Sequence, residues 1–273
     1  MNWLKKNRRL KPLKLLFVVA ALVIVLSVVK FFVHWFQFEF VTLSTLLTSA
    51  ISGAIFVIGF LLAGVLSDYK ESERLPGDIR AALEAIHDDS VCFANKSREF
   101  PLGQMRAVLI AIVDKLTRGL GHEGNHNDLR PAISELDKLT GLFEQMDLLG
   151  MPANFIVRLR AEQSQLRRYL FRIYHIQSTQ FVPSIHVLVQ TLVGSIVLLL
   201  LFLQTEGSPG TALIFGFISY LLIYSLYLIQ TLEQPFRKDH DTLDDVSLFL
   251  LREFSTKLLD AENKAAPETV ARP

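Results

Sequence analysis

Apolar residues gather in four long blocks, Leu15 to Val33, Leu43 to Leu66, Phe181 to Leu203 and Thr211 to Ile229. Each is close to the ~20 residues that a helix needs to cross a ~30 Å hydrocarbon core. The connections His34 to Thr42 and Gln204 to Gly210 are short, so the blocks pair as two hairpins. Between the hairpins, 67–180 changes character: acids and bases are nearly balanced and the apolar positions recur with helical spacing. Leu136, Leu139, Phe143 and Met146, three and four apart, mark one buried face. No strand-length alternation appears. The pattern predicts an all-α chain with four transmembrane helices and a helical domain inserted between the second and third.

The predicted segments are a basic N-terminus at 1–14, a first hairpin at 15–66 (helices 15–33 and 43–66), and the inserted domain at 67–180. A second hairpin follows at 181–230 (helices 181–203 and 211–229), then a C-terminal segment at 231–260 and a disordered tail at 261–273. The second apolar helix has no clear end. It turns charged at Asp68 and meets no helix breaker before Pro76, where a bend at Pro76 and Gly77 is expected before the helix resumes toward His87. Further helices are expected over about Leu102 to Leu120, over Pro131 to Leu149, and from Pro152 toward the third block.

At 51% hydrophobic and 20% charged, the chain is too apolar for an ordinary soluble domain. Lys5, Lys6, Arg8, Arg9, Lys11 and Lys14 precede the first block, and neither connection within a hairpin contains Lys or Arg. The positive-inside rule then places both termini and the inserted domain in the cytoplasm. A cleaved signal peptide fits less well, because no small-residue cleavage site follows the first block. These features suit a bacterial inner membrane. A net charge of +1 gives no bulk attraction to nucleic acid, and Cys92, the single cysteine, excludes an intrachain disulfide.

GHEGNHND, Gly121 to Asp128, formally matches HExxH through His122, Glu123 and His126. Its glycines and asparagines favour a turn over the helix that a zinc peptidase needs, so a polar loop is expected. With no convergent nucleophile, base or metal set, the chain reads as a non-enzyme without a cofactor. Arg158, Arg160, Arg167, Arg168 and Arg172 could bind anions or lipid headgroups, although a solvated, membrane-anchoring face is the commoner use. Lys30, near the outer end of its helix, is expected to snorkel.

On the second helix, Ser49, Gly53, Gly59 and Ala63 form two small-xxx-small pairs that let helices approach closely. Phe56 and Phe60 share a face, being four apart. Facing lipid they need no explanation; facing the axis of an oligomer they would stack as apolar rings able to gate by dewetting. Periodicity does not choose between these orientations. After the fourth helix, Asp239, Asp241, Asp244 and Asp245 offer oxygen ligands for a cation. The competing use is a capping box, Thr242 with Asp245, before the helical VSLFLLREF.

Several stretches together resemble the bestrophins. FVIGFLL, with ERLP after it, is similar to that family's neck helix, whose core is FVLGFYV-like and whose continuation is ENLP-like. DYKESER resembles the bacterial pattern Y-x-R-W-x-E-x-R, FVPSIHVLVQTL resembles P-x-x-Y-x-x-H-I-R-Q-L-L, and LEQPFRKDHDTLDDVSL resembles E-N-P-F-G-x-D-x-x-D-L-P-L. Gln234 stands in place of the asparagine and Arg237 in place of the glycine, the neck tryptophans are missing, and Ser52 occupies a usually aliphatic position. The resemblance implies a homopentameric channel for small inorganic ions, anions such as chloride ahead of cations. Its neck would be lined by Ser52, Phe56 and Phe60, with the acidic run Asp239, Asp241, Asp244 and Asp245 as a cation site. The alternative is a non-conducting membrane scaffold or sensor that works through its helical domain.

Overall fold

One helix carries the chain from its first hairpin into its helical domain without a break. The computed structural model describes residues 13–120, 129–178, 183–205, 209–233, 235–236 and 245–265. Its helices are α1 (Leu13–Trp35), α2 (Thr45–Ala94), α3 (Leu102–Gly119), α4 (Arg130–Leu148), α5 (Ala153–Ser178), α6 (Pro183–Leu201), α7 (Pro209–Leu232) and α8 (Phe249–Ala265). Among the described residues the only β pairing is an isolated bridge between Val41 and Leu203.

Four of these helices, α1, α2, α6 and α7, are long and apolar enough to cross a membrane. The chain is an integral membrane protein of all-α class. α2 has 50 residues, about 75 Å at 1.5 Å per residue. Ser44 starts it, its hydroxyl accepting the Leu47 amide at 3.2 Å. Pro76 lies inside it, and the helix continues past His87, as expected, to Ala94. A proline in a helix interior removes an amide and costs about 3 kcal/mol. Leu75 and Ile79, at 4% and 0% exposure, bury enough apolar surface around it to hold the helical path.

The chain divides into two compact units, and along α2 the division falls between Lys70 and Glu71. In the first, α1, the N-terminal half of α2, α6 and α7 close on one core. Val19, Ala54, Ile58, Val65, Val193 and Leu222 are among its buried members. In the second, the rest of α2 packs with α3, α4, α5 and α8 around Leu83, Leu109, Leu136, Phe143, Leu166 and Phe254. The expected stripe of α4 is buried throughout. Gly150 ends that helix in the left-handed region at φ +87°, with Met151 N donating to Met146 O at 3.0 Å. Only a residue without a Cβ takes that turn at no cost.

α8 begins at Phe249, with Val246, Ser247 and Leu248 outside any helix. Thr242, the first residue of the capping box read from the sequence, lies outside the described residues. Leu251, Phe254 and Leu258, one helical face, are fully buried in the core of the second unit.

Candidate functional site

The buried seam of α2 in the first unit is Leu47, Ala54, Ile58 and Val65, spaced to form one stripe. A helix turns 100° per residue, so Phe56 and Phe60 lie on the opposite face. They are 75% and 73% exposed, and Ser52 beside them is exposed as well. Ser49, Gly53, Gly59 and Ala63 share this outward side. A Cβ built on Gly53 or Gly59 meets no other atom within 4 Å. The close approach that these small residues allow is thus not made inside the chain. The seam turns the two phenylalanines away from the rest of their own chain, a direction open equally to lipid and to another copy.

At the other end of the apolar helices, a polar knot joins the two hairpins. Lys30, 7% exposed, donates to Glu39 Oε1 at 2.6 Å and also to the Leu203 carbonyl. His34 Nδ1 and Glu39 Oε2 are 3.1 Å apart. Thr205 donates to the same carboxylate through its amide at 3.1 Å and its hydroxyl at 2.9 Å. Backbone bonds from Val41 to Phe202 and from Gln204 to Val41 close the seam, and Phe40 stacks on Phe202 at 5.0 Å. Gln37 makes this possible: with φ at 54° it turns the chain back at the end of α1 and brings Glu39 under Lys30. Burial alone would push the Glu39 carboxyl up. The hydrogen bonds from Lys30, Thr205 and His34 outweigh it and hold the group at about 2.

Lys30 therefore does not snorkel to water; it is committed to a carboxylate and a carbonyl. A signal for this was present in the sequence. Lys30 is the one base within the first block, and Glu39 is the first acid of the chain.

A second polar group joins the start of α6 to the end of α7. His186 Nδ1 lies 3.8 Å from Glu233 Oε2, and the Gln190 amide nitrogen lies 2.7 Å from His186 Nε2. If that amide donates, Nε2 is an acceptor and the Nδ1 proton faces Glu233. Burial pushes the Glu233 carboxyl up, and His186 only partly opposes it. These two residues come from FVPSIHVLVQTL and LEQPF and stand over 40 positions apart, so no local spacing pairs them.

Four of the five arginines of α5 are engaged. Arg172 grips both oxygens of Glu71 at 2.9 and 2.5 Å, and Arg158 grips Asp89 in the same way. Arg167 pairs with Asp137 at 2.7 Å and Arg160 with Glu144 at 3.9 Å. They tie α5 to α2 and α4, and Arg168 is exposed to solvent.

His122, Glu123 and His126 lie outside the described residues, as do Asp239, Asp241 and Asp244. Asp245 is described and half-buried, ahead of α8. Among the described residues no cluster of three His, Cys, Asp or Glu side chains is placed to hold a metal ion.

This architecture has close structural counterparts. Two structures of a bacterial bestrophin homologue from Klebsiella pneumoniae superpose with TM-scores of 0.74 and 0.75, each at 16% identity. They cover 94% and 91% of this chain and 99% and 98% of their own. The fold is that of a bestrophin. A further crystal structure, described only as a membrane protein, matches at TM-score 0.72 and 17% identity, over 90% of this chain and 98% of its own. No family model and no curated protein matches the sequence. The bestrophin fold thus holds here with little sequence in common, and the resemblance of the short stretches quoted above agrees with it. In bestrophin terms, α2 is the helix that carries FVIGFLL, and its two phenylalanines point away from the rest of the chain.

Proposed function

We propose that the protein is an oligomeric, bestrophin-like channel that passes small inorganic ions down their gradients across a lipid bilayer. Copies of the chain assemble around a central axis, as a homopentamer by resemblance, with the outward face of each α2 turned toward that axis. Ser52 then forms the wider outer ring, and Phe56 and Phe60 form the hydrophobic neck. The observation that carries this reading is the pair of phenylalanines on the face of α2 opposite its buried seam. Apolar rings of this kind resist wetting and so gate conduction. The positive edges of the aromatic quadrupoles favour anions such as chloride over cations. The basic N-terminal segment supports an inner-membrane location with both termini in the cytoplasm.

The test is ion flux from liposomes holding the purified protein, with wild type compared with Phe56→Ala/Phe60→Ala under chloride and potassium gradients. Widening the neck is expected to raise flux or abolish gating. Equal silence of both proteins under every gradient would sink the channel reading in favour of a non-conducting scaffold.

A further inference from the structure

His87 lies where α2, α3 and α8 meet, and it is only 8% exposed. Its ring stands edge-on to Phe254 of α8, 6.5 Å between centroids and 85° between planes. Nδ1 lies 3.2 Å from Asp88 Oδ1, whereas Nε2 is buried and has no hydrogen-bond partner. The charges acting on the ring are Asp88 from α2, Arg106 from α3 and Lys257 from α8. Two are cations. The one carboxylate is 72% exposed and well solvated, so its hold on an imidazolium is weak.

In the neutral ring, with the Nδ1 proton given to Asp88, Nε2 carries only a lone pair and the arrangement is tolerable. Adding a proton creates a second N–H in a place with no acceptor, and places a positive charge beside Phe254 and near two other cations. A buried unpaired donor and a buried charge are each unfavourable. The cheapest relief is to move α8 away. That helix has 17 residues, and its hold on the core is the face Leu251, Phe254 and Leu258. Its other links to α2 are Arg80 to Glu253 at 2.7 Å and Lys257 to Glu84 at 3.4 Å, both solvent-accessible and individually weak.

We infer that His87 is a proton-responsive latch for α8: protonation of its imidazole releases the C-terminal helix from α2 and α3. The electrostatics agree, since burial foremost, and then Arg106 and Lys257, pull this imidazole below its ordinary range against the opposing pull of Asp88. A base whose folded-state affinity for protons is depressed takes up more protons when the helix is released. Docking is therefore strongest above the ordinary imidazole value and weakens as the pH falls through and below it. The inference does not depend on ion conduction.

The test uses the full chain in detergent or nanodiscs and follows amide hydrogen exchange of 249–265, corrected for intrinsic rates, at about pH 7.5 and about pH 5.5. In wild type, protection of α8 is expected to fall about threefold or more on acidification and to recover on return, while α4 stays protected. His87→Leu and His87→Gln, neither of which can titrate, are expected to abolish that difference. Protection that is independent of pH in wild type, or equally dependent in both variants, overturns the inference. If the variants do not fold, deuterium uptake at the imidazole C2 of wild-type His87 decides instead: titration below the ordinary imidazole range supports the latch, and titration at or above it refutes the latch.

Discussion

Lys30 Nζ sits 2.6 Å from Glu39 Oε1, with both side chains about nine-tenths buried, at the point where the two apolar hairpins are stitched together. Removing one partner strands the other, at a cost of about 3–5 kcal/mol for a buried pair. Glu39→Leu and Lys30→Met are each expected to lower thermal stability markedly, and the double variant Lys30→Met/Glu39→Leu to recover much of it. A double-mutant cycle in detergent that shows simple additivity would remove the pair from any structural role. The acid dependence follows from the carboxyl held at about 2. Its folded value is below its ordinary one, so its stabilisation is complete above about pH 4.5 and is lost as the pH falls toward about 2.

The neck reading makes a stability prediction as well as a flux prediction. Phe56 and Phe60 touch little of their own chain, so alanine at both should change monomer unfolding by less than about 1 kcal/mol. Phe143→Ala, by contrast, empties a site that is 0% exposed, and should cost about 3–5 kcal/mol. Denaturant unfolding of the three proteins separates these outcomes. Comparable losses at both places would mean that the phenylalanines are packed after all. An assembled complex that falls apart only in the Phe56/Phe60 variant would place them at a subunit contact instead of a lumen.

Glu233 yields a pH dependence of opposite sign. Burial raises its carboxyl above the ordinary carboxylate value, so the folded state holds its proton more tightly than the unfolded chain does. The resulting stabilisation is present at low pH and is lost as the pH rises through the folded value. Glu233→Gln, which stays neutral, should raise the melting temperature near neutral pH and remove this part of the pH slope. A melting temperature that drops at neutral pH would show that the charged form, held by His186, is the one the fold prefers.

The arginine pairs of α5 predict small effects. Arg158→Ala and Arg172→Ala each remove a bidentate bond between partly exposed groups, expected to contribute about 1 kcal/mol or less. Chemical denaturation at low and high salt would check this, since such pairs weaken as screening grows. A loss several times larger would point to a cooperative network along α5.

What the sequence disclosed, and what it hid, follows from the range of the interactions. The four apolar helices and the buried stripe of α4 are written in local periodicity, and the apolar spans differ from expectation only in their ends and in the length of α2. The full reach of α2 to Ala94 was less legible, because the burial of Leu75 and Ile79 around Pro76 is invisible until the tertiary fold is known. The contacts of Lys30 with Leu203, of His186 with Glu233 and of His87 with Phe254 join residues far apart in sequence. No spacing rule reaches across such separations. The outward face of Phe56 and Phe60 lies between these cases: their shared face was legible, but its direction required the packing partners of Ala54 and Ile58.

The place of α8 in the core of the second unit also sets an order for biogenesis. Leu251, Phe254 and Leu258 complete a core whose other walls are α2 to α5, yet α6 and α7 are translated in between. While the ribosome makes the second apolar hairpin, the apolar floor waiting for α8 is exposed. Synthesis must pass all four membrane segments before that core can close, so a chain cut short ahead of Phe249 would reach the bilayer with an unfinished domain, a natural substrate for quality-control proteases.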